Sequence, residues 1–136
     1  MGDLQEFARQ IFEAQPFSRF IGAQLKSSGP ASAELSIAIV DHLKQQNGFV
    51  HGGVISYLAD NSITFAGGLA LGGNALTSEF KINYLKPAVG ASLVARAHAR
   101  SVGKRQAVCQ CEIFSVADGE ERLCAIAQGT VVPASL

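Results

Sequence analysis

Residues 47–73 read NGFVHGGVISYLADNSITFAGGLALGG, and the way this stretch is accommodated decides the fold. From Gly52 to Gly73 the only charged residue is Asp60. Apolar residues fall at positions 54, 55, 58, 59, 63, 66, 69 and 70, which covers most of a helix surface rather than one stripe. Such a helix either crosses a membrane or is enclosed by the rest of its own domain. Ser56, Asn61, Ser62, Thr64 and six glycines, with no Lys or Arg flank, speak against the membrane. The spacing therefore predicts a buried helix over 52–70, ended by the Gly72-Gly73 break.

The flanking sequence supplies what would enclose it. Downstream, Leu76, Ser78, Phe80, Ile82 and Tyr84 alternate with Thr77, Glu79, Lys81 and Asn83, as on the two faces of a strand. Residues 92–100, 106–116 and 121–132 alternate likewise, with turns at Lys86-Pro87/Gly90, Gly103-Lys104 and Asp118-Gly119. Upstream, residues 33–40 form a half-buried strand and 17–26, broken by Gly22, a bent one. Residues 3–14 are an amphipathic helix with Asp3 as N-cap, ended by Pro16. Consecutive hairpins imply an antiparallel sheet, and one long apolar helix has only that sheet to pack on. The fold class is α+β, a single domain over 1–136 with an N-terminal helix in 1–15 and about six strands. Small residues at Ala95, Ala97, Ala99, Ala107 and Ala125 would let the helix approach closely.

Composition narrows the function. The 136 residues carry 11 Lys+Arg against 11 Asp+Glu, which leaves no basic surplus for nucleic acid. Charged residues make up 16% of the chain, against roughly 25% in an ordinary soluble domain, so either the surface is unusually rich in Ser, Gln and Ala or part of it is covered by another copy. Cys109, Cys111 and Cys124 are odd in number and have no zinc-site company, which points to a reducing compartment and to no metal. The N-terminus lacks the pattern of a secretory signal, so a cytoplasmic location is expected.

Chemistry concentrates where a polar loop, Asn47 to His51, meets the start of the central helix. Gly52 and Gly53 leave their backbone N–H groups open to a ligand, and the helix dipole makes that point attractive to an oxyanion or a carbonyl oxygen. Tight helix packing alone would also explain paired glycines. Asp60 is a lone carboxylate in an apolar helix, costly to bury unless paired or functional. A structural partner such as Lys81, or a backbone cap, is the alternative to a catalytic role. Asp60 lies eight residues beyond Gly52, about 12 Å along a helix. One helix therefore cannot bring both to the same carbonyl group, whereas two antiparallel helices from two subunits can.

His51-Gly52-Gly53 followed by Leu58-Ala59-Asp60, with Asn83-Tyr84-Leu85-Lys86-Pro87 further on, resembles the signature of hotdog-fold acyl-CoA thioesterases of the phenylacetate-degradation (PaaI-like) type. By order of elements the resemblance covers about residues 17–132. It implies a long helix wrapped by an antiparallel sheet, a homodimer with one continuous sheet, and often a dimer of dimers. It implies hydrolysis of an aryl- or medium-chain acyl-CoA, with no cofactor beyond the CoA of the substrate. Carried over, the Gly52 N–H polarises the thioester carbonyl. Asp60 of the other subunit acts as nucleophile or general base, and His51 positions the loop or touches the thioester. Ser78 falls where some relatives place a water-orienting hydroxyl, and Thr64, one turn after Asp60, could do similar work.

The sequence departs from that pattern six residues before His51, where relatives commonly have Asn and this chain has Gln45. Gln45 keeps an amide on a longer side chain, and Asn47 is the competing candidate for its role. Gly53, Lys86, Lys104 and Arg105 are candidates for substrate binding, the last three toward the CoA phosphates. Arg96, His98 and Arg100 share one strand face and read as solvated. Cys109 and Cys111 read as core, because no His is placed to activate them. Two other classes compete. A hotdog enoyl-CoA hydratase/dehydratase would need a different His and acid arrangement, and a non-catalytic acyl-CoA-binding module would not need Asp60.

Overall fold

The computed structural model describes residues 2–135. Along the chain run α1 (Gly2–Ala14), α2 (Pro16–Ile21), β1 (Ala23–Gly29), β2 (Ser32–Ala38), a 3-10 turn (Asp41–Leu43), α3 (Gly52–Leu71), β3 (Ala75–Tyr84), β4 (Ser92–Val102), β5 (Ala107–Ala117) and β6 (Glu120–Pro133). The six strands form one antiparallel sheet in the order β1-β2-β4-β5-β6-β3, wrapped around α3. This is the wrapped-helix arrangement that the family resemblance implied.

The core is the contact between α3 and the concave face of the sheet. Leu58, Ala59, Ile63 and Ala66 of α3 are fully buried, as are Leu35, Leu93, Ala95, Ile113 and Val131 opposite them. The strand alanines do what their size suggests: Ala95, Ala107 and Ala125 are all fully buried and leave room for the helix. Closest approach occurs at Gly67, where an added Cβ would lie 2.6 Å from the Val131 Cβ. No rotamer change can relieve a clash at that atom. Gly67→Val is therefore expected to destabilise by about 1–3 kcal/mol or more, a Tm fall of ~4 °C per kcal/mol. At Gly73, where nothing lies within 4 Å of an added Cβ, Gly73→Ala should stay within ~0.5 kcal/mol. Equal melting temperatures for the two variants would remove close packing as the reason for Gly67.

Two expectations are corrected. Residues 17–26 are not one bent strand. Pro16 opens a second short helix, because Gln15 before it is extended and the missing proline N–H falls at a position where a helix leaves it unused. Buried Ser18 and Ile21 then share one side of α2, while Phe17 and Phe20 remain exposed. The strand begins only at Ala23.

The second correction is to β3. Thr77 pairs with Val131 and Glu79 with Thr130, so Ser78 is an extra residue, a β-bulge. The bulge exchanges the faces of the strand's first half. Ala75 and Thr77 join Phe80 and Ile82 on the side toward α3, whereas Leu76 is 55% exposed. Uniform alternation had put Leu76 and Ser78 on the face of Phe80 and Ile82.

Helix α1 lies across the C-terminal half of α3, with Phe12 edge-on to Phe65 at 5.7 Å between ring centroids. Among the described residues no helix is long and apolar enough to cross a membrane.

Candidate active site

The site is built from the start of α3 and from its open side. His51 is the N-cap: its Nδ1 accepts from the Gly53 N–H at 2.8 Å, and its carbonyl accepts from the Val54 N–H at 2.9 Å. An accepting Nδ1 places the proton of a neutral His51 on Nε2. The capping satisfies the second and third amides of the helix and leaves the first. The Gly52 N–H donates to no acceptor among the described residues. It is the orphan donor that a helix terminus presents. Gly53, by contrast, has its N–H occupied.

Gly52 opens into a cleft of about 340 Å³ whose lining includes Gln45, Phe49, Ile55, Tyr84 and Lys86. Tyr84 stands over Gly52, with its ring 3.4 Å from the position of a Gly52 Cβ. Its hydroxyl donates to the Gly52 carbonyl at 3.2 Å and lies 2.6 Å from Ser56 Oγ. The upstream loop is closed by Gln45. The Gln45 N–H donates to the Phe49 carbonyl at 2.8 Å and the Gly48 N–H to the Gln45 carbonyl at 3.0 Å, while Gln45 Oε1 accepts from the Asn47 N–H. Gly48, at φ 87°, supplies the left-handed residue that the tight loop requires. Gln45 faces the cleft; Asn47 is exposed at the loop tip.

Asp60 lies on the open side of α3, half-buried, between Ser56 and Thr64. The Thr64 hydroxyl donates to the Asp60 carbonyl at 2.8 Å and lies 3.5 Å from Oδ1. It also meets the Thr77 hydroxyl. Thr77 is a residue the sequence reading missed, because the bulge that turns it inward leaves no mark in the alternation. No cation lies within ion-pairing distance of Asp60 among the described residues. Lys81 is exposed and lines a hollow on the outer face of the sheet, so it is not the partner of Asp60.

The residue after Asp60 joins a second network the sequence did not disclose. Asn61 exchanges two hydrogen bonds with the Gln15 side chain, 2.9 and 3.3 Å, and donates to the Tyr57 hydroxyl at 3.1 Å. Fully buried Ser18 bridges Gln15 and Tyr57 at 2.6 and 2.5 Å. Burial pushes the Tyr57 phenol above its usual pKa. These contacts fix the junction of α1 and α2 against the helix turn that carries Asp60.

The remaining candidates scatter. Ser78 is exposed and donates to the Thr130 carbonyl at 3.3 Å, with no contact to Asp60 or Thr64 in its own chain. Lys104 and Arg105 sit in the β4–β5 turn, at the far end of the 11-residue β4 from the loop that holds Lys86. β4 itself is about 30 Å long. Arg96 is engaged by Glu34 at 3.0 Å and by Glu121 in a two-pronged pair at 2.7 Å, and its guanidinium lies over Phe114. Burial raises the thiols of Cys109 and Cys111 to about 11, so neither is a thiolate near neutral pH.

The sequence model of the thioesterase superfamily matches residues 47–122, which include both Gly52 and Asp60. A crystal structure of a thioesterase family protein from Silicibacter pomeroyi is 32% identical, covers 92% of this chain and 93% of its own, and superposes with a TM-score of 0.87. An esterase-named protein of Saccharolobus solfataricus is 28% identical over 128 residues, 90% of this chain and 81% of that protein. The PaaI protein of the E. coli phenylacetic acid degradation operon shares the fold, with a TM-score of 0.82 at 23% identity over 97% of this chain and 96% of its own.

Proposed function

Since the chain belongs to the thioesterase superfamily and is a thioester hydrolase, we propose that it cleaves an aryl- or medium-chain acyl-CoA at two sites shared between the protomers of a dimer. The observation that carries this reading is the Gly52 N–H. It is the one amide of the first helical turn that His51 leaves unpaired, and it lies at the mouth of a cleft. A thioester carbonyl oxygen placed there accepts from it at the positive end of a 20-residue helix. Charge that gathers on the oxygen during attack strengthens that hydrogen bond.

Asp60 acts on the carbonyl carbon from the partner protomer, as nucleophile or by taking the proton of the attacking water. The sulfur of CoA leaves as the thiolate and is then protonated; on the nucleophilic route, water next hydrolyses the acyl–Asp60 anhydride, releasing the carboxylic acid and restoring the carboxylate. Edge strand β3 supports the pairing. Tyr84 at its end sits over Gly52, and Thr77 near its start touches Thr64, so β3 spans the distance between the two halves of a site. Pairing two β3 edges antiparallel about a twofold axis sets each protomer's Gly52 end against the other's Thr64 and Asp60 end.

Lys86 and Gln45, on the wall of the Gly52 cleft, meet the CoA side of the substrate, with Asn47 at the loop rim. His51 holds the loop and the helix start together, and Gly53 contributes the absence of a side chain. Thr64 orients Asp60 or its water. Ser78, Lys104 and Arg105 enter a site only where a partner protomer presents them. The reaction uses no cofactor other than the CoA of its substrate, and three buried free thiols suit a reducing cytoplasm.

Mixed dimers test the shared site. Asp60→Asn and Gly52→Pro chains are each expected to be inactive alone. Co-refolded in equal amounts, half the dimers hold one chain of each kind and one intact site out of two, so about a quarter of wild-type CoA release should return. A mixture no more active than its parts would mean that Gly52 and Asp60 do not serve one site across an interface.

A further inference from the structure

The structure holds a second cavity one helical turn from Asp60, roofed by α1. Its volume is about 220 Å³. Leu4, Phe7 and Ile11 of α1 form one wall, and Phe65 and Leu69 of α3 form the other. At one end lie Gln15 and Thr64. Thr64 touches Asp60, and Gln15 is hydrogen-bonded to Asn61 next to it. The cavity is thus an apolar chamber whose polar end adjoins the carboxylate proposed to attack the thioester. An acyl group whose carbonyl carbon stands at Asp60 reaches this chamber past Thr64, one helical turn away, while the CoA departs toward the other cleft.

We propose that α1 is the gauge of acyl length: the substrate's acyl group enters between α1 and α3, and Phe7 and Ile11 set how long it can be. This deepens the hydrolytic reading above and rests on it for the identity of the ligand. A water-sized group occupies about 30 Å³, so the chamber takes about seven non-hydrogen atoms. That fits one phenyl ring on a short tether, or a straight chain of about six to eight carbons. A chain of twelve or more carbons extends beyond the chamber and gains no further contact there. The device is adjustable because α1 is held largely by side chains. Its packing on α3 through Phe12 and its junction at Gln15 fix the C-terminal end of the roof, and Gln5 donates to the Ser28 carbonyl nearer its start, while Phe7 between these points is 41% exposed and has room to change size.

Binding of non-hydrolysable S-alkyl-CoA thioethers, with butyl, hexyl, octyl and dodecyl chains, reads the chamber directly by calorimetry. Affinity is expected to rise about fourfold per methylene up to roughly seven or eight carbons and then to stop rising. Phe7→Ala should move that break outward by ~3 carbons, and Ile11→Phe should move it inward. Phe20→Ala, in α2 and outside the cavity wall, should leave it in place. A rise that continues through the dodecyl chain in the wild type, or a break at the same length in all variants, would overturn the proposal. Cleavage of acyl-CoAs is measured alongside. Cleavage without a length limit removes the gauge and leaves the hydrolase; a length limit in thioether binding without any cleavage removes the hydrolase and leaves the gauge.

Discussion

Asp60→Asn is expected to lower the release of free CoA from an acyl-CoA by about 10²–10⁴-fold in kcat, with thioether-CoA binding within a few-fold of wild type. The size follows from what the amide cannot do. It keeps the shape of the carboxylate and the contact with Thr64 at 3.5 Å, but it neither attacks a carbonyl carbon nor takes a proton from water. Folding should be indifferent to the change. The carboxylate is half-buried with no ion pair among the described residues, so loss of its charge leaves no opposite charge stranded, and the melting temperature should stay within about 2 °C, ~0.5 kcal/mol. A variant that keeps wild-type turnover would eliminate Asp60 from the mechanism. One that melts far below wild type would restore a structural role for the charge.

Gly52→Pro is expected to cost about 10²–10³-fold in kcat, the range seen when one oxyanion donor is removed. The substitution is unusually clean at this position. Gly52 is the first residue of α3, where proline fits helical geometry and its missing N–H breaks no helical hydrogen bond. His51 before it is already extended, φ −60° and ψ 135°, as a residue preceding proline must be. The helix and its His51 cap therefore survive; the orphan donor disappears, and a ring is added whose Cβ meets Tyr84 at 3.4 Å. Gly52→Ala is the companion variant. It retains the N–H, and its Cβ would meet the Tyr84 ring at 3.4 Å, an ordinary contact. CoA release should fall far less in the alanine variant than in the proline variant. Equal losses in both would assign the effect to crowding in the cleft rather than to the amide.

The layout of the chain was legible in its sequence wherever one physical demand dominated. A 20-residue helix with a single charge had to be enclosed, and the alternating strands around it were the only material available to enclose it. Gly52 and Asp60 were legible for the same reason: an orphan donor and a lone carboxylate both stand out in an apolar helix, and Asp60 has no ion pair among the described residues. What escaped was decided by one-residue events. A bulge at Ser78 turned Thr77 inward, and a proline expected to stop a helix began another. Neither changes hydrophobic periodicity enough to be seen over a short window. The Gln15, Ser18, Tyr57 and Asn61 network was invisible because its members stand up to 46 residues apart and only the docking of α1 and α2 onto α3 brings them together. Gln45 and Asn47 also illustrate the limit, since only the closed loop shows the amide of one binding the backbone of the other.

The two margins of the sheet are unequal, and the inequality has a consequence for assembly. At β1 the register slips between Leu25 and Ser27, and Gln5 of α1 donates to the Ser28 carbonyl at 3.0 Å, so that margin is bent and capped. At β3 ten residues run along the opposite margin with partners on one side only. A sheet with both margins open can add neighbours without end, as fibres do. A sheet with one has a valence of one: were a copy to dock there by strand pairing, it would use that margin up, and growth of this kind would end at two.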